Sequence, residues 1–135
     1  MTFVAALNIE CAFLNSNHWA QDRDYYLCSV KNTLNITEPD TNIDTLTGSH
    51  INGRNNLNVE SIEFFSKGTI NYFPSGIEKL FPKLLKIFLS GVQLKEIHQN
   101  DLKPFTELEI LILEIGQIKY LEKDLFKFNT KLKAF

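Results

Sequence analysis

Hydrophobic residues recur at a fixed 24-residue interval through the second half of the chain. Leu84, Leu108 and Leu132 are separated by this interval. The same interval separates four further apolar pairs, namely Ile87 and Leu111, Leu89 and Leu113, Leu94 and Ile118, and Ile97 and Leu121. Because many independent positions share one offset, the pattern indicates an internal repeat rather than chance.

Each repeating unit begins with alternating apolar residues, such as Ile87 and Leu89. This alternation is typical of a half-buried strand, since successive side chains point to opposite faces. A turn and a looser segment with wider apolar spacing follow. One unit cannot bury its apolar side alone, so we expect the units to stack, with a short parallel sheet on one side and irregular segments on the other.

The first unit departs from this period by one residue. Counting back by the same interval places Ile70 in register with later units and puts Phe65 in the strand, whereas alternation favours Ile62 and Phe64. A one-residue bulge in this strand would reconcile the two counts.

The first half of the chain is more polar and follows a different pattern. Two short segments, 9–13 and 26–30, alternate in the manner of strands and carry one cysteine each, Cys11 and Cys28. They predict a hairpin-like element. Residues 52–58 are rich in Asn and Gly, which tolerate left-handed backbone. We expect them to form an exposed loop between the two halves.

The repeating units resemble a known family. The returning segments 73–77, 101–105 and 124–128, together with the strand pattern, resemble the extracellular variety of the leucine-rich repeat over residues 59–135. The preceding region resembles the cysteine-bearing N-terminal cap of such proteins, and the whole is similar to secreted leucine-rich repeat proteins of dipteran insects. The resemblance implies an α/β fold, a right-handed solenoid with a short parallel β-sheet on its concave face. It also implies an irregular or short helical convex side and a β-hairpin-like cap.

Three segments follow from this resemblance. Residues 1–6 are either the remnant of a signal peptide, because their small residues are similar to the end of one, or a frayed apolar terminus or first strand. Residues 7–58 form the cap region with its polar loop, and residues 59–135 hold three repeats and the truncated start of a fourth. Because a solenoid needs a terminal cap, we expect the protein to continue beyond Phe135, with further repeats or a dimer partner covering that end.

The resemblance also implies a disulfide between Cys11 and Cys28. From the residues alone, metal ligation and a reactive thiol are the alternatives, although no Cys-x-x-Cys pair supports a metal site. A disulfide is typical of an extracellular location. We therefore expect either a secreted protein or the ectodomain of a membrane protein, and in either case a glycan at Asn35, which begins an Asn-x-Thr acceptor triplet.

Composition narrows the function classes further. The chain has 135 residues, a formal net charge of -2 and 44% hydrophobic residues, which is an ordinary globular balance. It lacks the overall positive charge typical of nucleic-acid-binding domains. No apolar run approaches the ~18 residues of a membrane span. We expect neither a nucleic-acid partner nor a transmembrane segment in this chain.

Residue types that support catalysis or metal binding do not occur at the spacings of known catalytic or metal-binding motifs. His18, His50 and His98 do not form a ligand motif such as His-x-x-x-His. The glycines are scattered rather than gathered in a phosphate-binding loop, and no nucleophile elbow is present. We predict no enzymatic activity, no cofactor and no metal site. A Cys/His metal-binding protein is the less favoured alternative.

The outward face of the predicted sheet is the candidate binding surface. If Ile87 and Leu89 face the core, their neighbours point outward, and adjacent strands form a small apolar patch bordered by charge. Such patches are typical of partner sites. The predicted partner-binding residues are Glu63, Lys86, Phe88, Ser90, Ile110, Ile112 and Glu114. Alternatively, these residue types simply suit strands, or another part of the protein covers them.

These observations predict a non-enzymatic, extracellular protein-binding module with an unidentified protein partner. The family resemblance implies immune recognition, a receptor ectodomain or adhesion as the setting. The alternative function is a structural spacer within a larger ectodomain, which holds other parts in place and binds nothing.

Overall fold

Six strands form one mixed β-sheet in the computed structural model, which describes residues 6–16, 23–65, 68–113 and 118–134. The strands are β1 (Ala6–Ser16), β2 (Tyr25–Val30), β3 (Asn42–Thr47), β4 (Ser61–Phe65), β5 (Lys86–Ser90) and β6 (Ile110–Leu113). Their order across the sheet is β3-β1-β2-β4-β5-β6. A 3₁₀ turn (Asn56–Asn58) and two one-turn helices, α1 (Ile77–Leu80) and α2 (Gln99–Leu102), lie in the connections.

The strand directions divide the sheet into two parts. β1 runs antiparallel to β2 and parallel to β3. β2, β4, β5 and β6 run parallel to one another, and parallel neighbours require long crossover connections. The two cysteine-bearing segments pair antiparallel as the alternation predicts, with Phe13 opposite Cys28.

The main core lies on one face of the parallel strands. Two apolar rows cross the strands, one formed by Cys28, Ile62, Ile87 and Leu111, and the other by Val30, Phe64, Leu89 and Leu113. Ile77 of α1 and Leu102 of α2 are fully buried in the same cluster. A fully buried apolar side chain of this size contributes about 1.5–3 kcal/mol. Because successive side chains point to opposite faces of a strand, the apolar residues of the two rows lie on the same face of the sheet and form the core.

The 24-residue interval sets the register of the last two strands. Ile87 pairs with Leu111 across β5 and β6, which are 24 positions apart. Ile62 pairs with Ile87 across β4 and β5, which is one position more. The register of β4 with β5 is continuous over its five residue pairs, so the extra residue does not lie in a bulge within this ladder.

The expected leucine-rich repeat solenoid is not the fold that is found. The first half of the chain contributes β1, β2 and β3 to the same sheet, because the edge of β2 is hydrogen-bonded to β4. The result is a small mixed sheet with a few one-turn helices, and not a separate hairpin cap placed on a right-handed stack of repeats. Within the described residues, the repeating units supply only β4, β5 and β6.

Several predictions fall on positions outside the described residues. These are the first five residues of the 1–6 segment, His18, Glu114 and Phe135. Among the described residues, no helix is long and apolar enough to cross a membrane.

Candidate functional site

The outward face of the parallel strands is largely buried, so the prediction of an exposed patch is wrong there. Glu63, Lys86 and Phe88 retain 2%, 1% and 5% of their accessible surface. Strand alternation places these residues away from the main core, but it does not reveal whether that second face is covered. Ser90, Ile110 and Ile112 are half-buried, and Glu114 lies outside the described residues.

A buried ion pair lies on this second face. The Nζ atom of Lys86 is 3.8 Å from Oε1 of Glu63. Burial lowers the pKa of Lys86, and the negative charge of Glu63 opposes that shift. The ring of Phe88 packs against Phe65, with centroids 5.4 Å apart. The contacts of these residues are those of an interior layer, and their role in partner binding stays a prediction.

Cys11 and Cys28 form the predicted disulfide. Their Sγ atoms are 2.02 Å apart and their Cα atoms 5.1 Å apart. Both side chains are buried, with 7% and 0% of their surface exposed. Since neither cysteine is free, they do not support the alternatives of a reactive thiol or a cysteine-ligated metal.

His50 is part of a hydrogen-bonded aromatic cluster. Its Nδ1 is 2.8 Å from the hydroxyl of Tyr26 and its Nε2 is 2.7 Å from Oδ1 of Asn56. Its ring stacks on Phe13 at a centroid distance of 3.9 Å. Because Oδ1 of Asn56 can only accept, Nε2 of His50 is the donor in that hydrogen bond. These contacts give His50 a structural role in fixing the polar loop.

His98 lies in an ion-pair cluster of two neighbouring connections. Its Nδ1 is 2.7 Å from Oε1 of Glu122, and its Nε2 is 3.4 Å from Oε1 of Glu96. The hydrogen bond to Glu122 raises the pKa of His98, burial opposes this shift, and Glu96 adds to it. In the described ranges, no group of three or more His, Cys, Asp or Glu side chains is arranged to hold a metal ion.

A groove of about 800 Å³ opens at the amino ends of the parallel strands. Glu60 and Leu85, which immediately precede β4 and β5, are among its lining residues. The polar loop and the connection before β6 also contribute to the lining. We call it the amino-end groove and define it by Tyr26, Arg54, Leu57, Asn58, Glu60, Lys83, Leu85 and Glu107.

Tyr26 fixes one side of the amino-end groove. Its hydroxyl accepts a hydrogen bond of 3.1 Å from the backbone N–H of Ile51, in addition to its bond with His50. The guanidinium of Arg54 lies 4.5 Å from the centroid of the Tyr26 ring. Nη1 of Arg54 also donates to Oδ1 of Asn15 at 2.8 Å. These contacts hold the loop against β1 and β2, so Arg54 has a defined position although its loop is exposed.

A short turn presents Leu57 at the rim of the groove. Oδ1 of Asn55 accepts from the backbone N–H of Leu57 at 2.8 Å, and Oδ1 of Asn58 accepts from the backbone N–H of Asn55 at 2.9 Å. This reciprocal cap fixes the 3₁₀ turn. Leu57 remains 54% exposed. An exposed apolar side chain on a fixed backbone can be buried by a partner with little cost of ordering the loop.

The two carboxylates of the groove are already paired with cations. Nη2 of Arg23 is 2.8 Å from Oε2 of Glu60, and Nζ of Lys131 forms an ion pair with Glu107. Burial acts to raise the pKa of Glu60, but the hydrogen bond from Arg23 and smaller contributions that include the charge of Arg54 bring it below its ordinary value. Glu60 is therefore a charged and compensated side chain.

The two cations of the groove are not held in ion pairs of this kind among the described residues, although the charge of Arg54 contributes to the lowered pKa of Glu60. Arg54 is hydrogen-bonded to the neutral side chain of Asn15, and Lys83 is exposed. Within the part of the chain that the structure describes, neither Arg54 nor Lys83 forms an ion pair with a carboxylate. The groove consequently combines an apolar rim residue with two positive charges that are available to a bound group.

The sequence alone does not reveal this groove. Its residues are spread from Tyr26 to Glu107, and no motif connects them. One sequence feature could have indicated it, namely that Leu57 stands alone as an apolar residue in the polar loop 52–58. Single exposed apolar residues are common on protein surfaces, however, so this feature does not by itself distinguish a binding site.

A second depression, of about 430 Å³, surrounds His98 beyond the carboxyl end of β5. Its lining includes Lys95, Lys119, Tyr120 and Glu122. Tyr120 is 79% exposed. This second depression lies at the end of the parallel strands opposite to the amino-end groove, and it provides a comparison surface for experiments.

The predicted glycosylation residue Asn35 lies beyond the carboxyl end of β2 and is exposed. Its Oδ1 accepts a hydrogen bond of 3.0 Å from the backbone N–H of Thr69. Thr37 is also exposed. A glycan on Asn35 would therefore stand away from the amino-end groove, which lies at the other end of the parallel strands.

Comparisons of the chain with protein-family models, with curated proteins and with solved structures gave no match.

Proposed function

We propose that the chain is a protein-recognition module that binds a segment of another protein in the amino-end groove. The observation that carries this proposal is the placement of exposed Leu57 beside Arg54 and the Tyr26 ring around one depression. Apolar, aromatic and arginine side chains with a charged rim are the usual composition of protein interfaces.

The hydrogen bonds of the loop support this assignment. The bonds of His50, Ile51 and Asn55 hold the loop in one conformation. A preorganised surface loses less conformational entropy on binding than a mobile one. Loops that are fixed on a rigid scaffold are also the commonest location of binding residues.

The proposal places this recognition outside the cell. The Cys11–Cys28 disulfide is compatible with an oxidising compartment. Both a secreted protein and an ectodomain meet this condition. No catalytic or cofactor chemistry is part of the proposal.

Selection from a library of random peptides displayed on phage tests the proposed function without assuming the partner. The immobilised full chain is the target, and Leu57→Ser/Arg54→Gln is the groove variant. Tyr120→Ser/Lys119→Gln, at the second depression, is the matched control. We expect enriched peptides that bind the wild type and the control but lose at least about tenfold in affinity for the groove variant.

Two results would contradict the proposed function. One is that enriched peptides bind the groove variant as well as they bind the wild type. The other is that no peptide is enriched, which would favour the structural spacer. Circular dichroism and thermal midpoints of both variants show whether a loss of binding reflects unfolding.

A further inference from the structure

We infer that the amino-end groove takes an acidic peptide segment that carries an apolar side chain. This inference rests on the proposed function and specifies the chemistry of the partner. It follows from the charges of the groove, because its carboxylates form ion pairs with Arg23 and Lys131, whereas Arg54 and Lys83 form none with the described residues.

The compensation can be followed side chain by side chain. Glu60 is held by two hydrogen bonds from the guanidinium of Arg23, of 3.1 Å and 2.8 Å. Glu107 is paired with Lys131. A basic partner would have to displace Arg23 or Lys131 before it could reach either carboxylate. This competition disfavours a basic segment.

An acidic partner meets no such competition. Arg54 already uses one face of its guanidinium on the Tyr26 ring and one nitrogen on Asn15. Its remaining N–H groups can donate to a carboxylate, and a guanidinium matches a carboxylate in a two-bond geometry. Lys83 supplies a second positive charge in the same lining. These two cations can pair with two acidic side chains of the segment, or with one acidic side chain and a C-terminal carboxylate.

The apolar requirement comes from Leu57 and Leu85. Leu57 is exposed at the rim and Leu85 is half-buried in the lining. An apolar side chain of the partner that contacts both would remove hydrophobic surface from water. The expected occupant is therefore an extended segment in which acidic residues flank a Leu-like residue.

Three fluorescent heptapeptides of equal length test this chemistry. Each has a central Leu, flanked by Glu, by Gln or by Lys, and binding to the full chain is followed by fluorescence anisotropy. We expect the Glu peptide to bind about tenfold more tightly than the Lys peptide, because it can form two exposed ion pairs, one with Arg54 and one with Lys83. The preference should shrink as salt is added, because exposed charges are screened.

Variants assign the preference to the groove. Arg54→Gln/Lys83→Gln should abolish the preference for the Glu peptide. Lys95→Gln/Lys119→Gln makes the same change of charge at the second depression and should retain it. Leu57→Ser should lower the affinity for all three peptides without changing the order of their affinities.

The inference is overturned if the three peptides bind equally, if the Lys peptide binds best, or if Arg54→Gln/Lys83→Gln keeps the preference. If a heparin oligosaccharide binds more tightly than the Glu peptide, the ligand of the groove is a sulfated glycan and not a peptide. That result would also overturn the inference. Groove-dependent peptides from the random library that lack acidic residues would overturn the inference while the proposed function stands.

Discussion

The Nδ1 atom of His98 lies 2.7 Å from Oε1 of Glu122, one 24-residue interval further along the chain. The other carboxylate oxygen of Glu122 accepts from the backbone N–H of Gln99 at 3.0 Å. The contact therefore ties the start of α2 to the next connection. It also raises the pKa of His98 and lowers the pKa of Glu122, which are two consequences of the same hydrogen bond.

This contact predicts a pH dependence of stability near neutrality. Since the folded-state pKa of His98 is raised above the ordinary 6.5, its stabilising contribution is fully present below 6.5 and is lost as the pH rises through the raised value. We expect the thermal midpoint of the wild type to fall relative to that of Glu122→Gln as the pH rises from 6.5 through the raised pKa of His98. Exposed Glu38→Gln should keep the wild-type slope. Parallel curves for wild type and Glu122→Gln would contradict the assignment.

The disulfide predicts a measurable loss of stability on reduction. Cys11 and Cys28 are separated by 17 residues, and closing a loop of that length stabilises a protein by about 3 kcal/mol in the chain-entropy model. Urea unfolding with and without reductant measures the loss. Cys11→Ser/Cys28→Ser is the control, because reductant should not change its midpoint. Two titratable thiols in the unreduced protein would refute the disulfide.

Because Glu63 and Lys86 form a buried ion pair, we expect the stability losses of substitutions at these two residues to be non-additive. Glu63→Gln removes the negative charge that lies 3.8 Å from the buried ammonium of Lys86 and should cost about 3–5 kcal/mol. Glu63→Leu/Lys86→Met removes both charges and should recover most of that loss. The exposed pair of Glu107 and Lys131 is the matched control, where Glu107→Gln should cost less than about 1 kcal/mol. Urea denaturation measures all of these, and additive losses at Glu63 and Lys86 would be inconsistent with a buried pair.

The exposed Asn35 predicts a single N-linked glycan when the chain passes through a eukaryotic secretory pathway. In the described part of the chain, the Nδ2 atom of Asn35 makes no hydrogen bond, while Oδ1 accepts from Thr69. A glycosidase-sensitive mass shift should be lost in Thr37→Ala, which keeps the Asn35 amide, and retained in Thr33→Ala. Secretion without a mass shift, beside a reporter that is glycosylated, would rule out the modification.

The sequence predicted the parts of the fold that depend on periodicity. The 24-residue interval between Ile87 and Leu111 is the register of β5 and β6, because the same side chains must face the same core. The extra residue near Phe65 was also detectable, whereas the continuous ladder of β4 and β5, which has no bulge, was not. The disulfide could be expected because the two cysteines lie on alternating segments that pair.

The remaining features depend on contacts between distant segments. β3 is polar apart from Ile43 and Leu46, so no apolar pattern predicts a strand there, and its pairing with β1 is what places it in the sheet. The burial of Lys86 depends on what lies over the second face of the sheet, which alternation alone does not reveal. The amino-end groove requires Tyr26, Arg54 and Lys83 to meet, although they are far apart in sequence.

The most direct test of the central claim is to map a library-selected peptide onto the full chain by nuclear magnetic resonance. Backbone amide shifts are compared with and without the peptide. We expect the largest changes at Tyr26, at residues 54–58 and at Leu85, with small changes at Lys95 and Tyr120. Changes centred on Lys95, His98 and Tyr120, with none at the amino-end groove, would contradict the account.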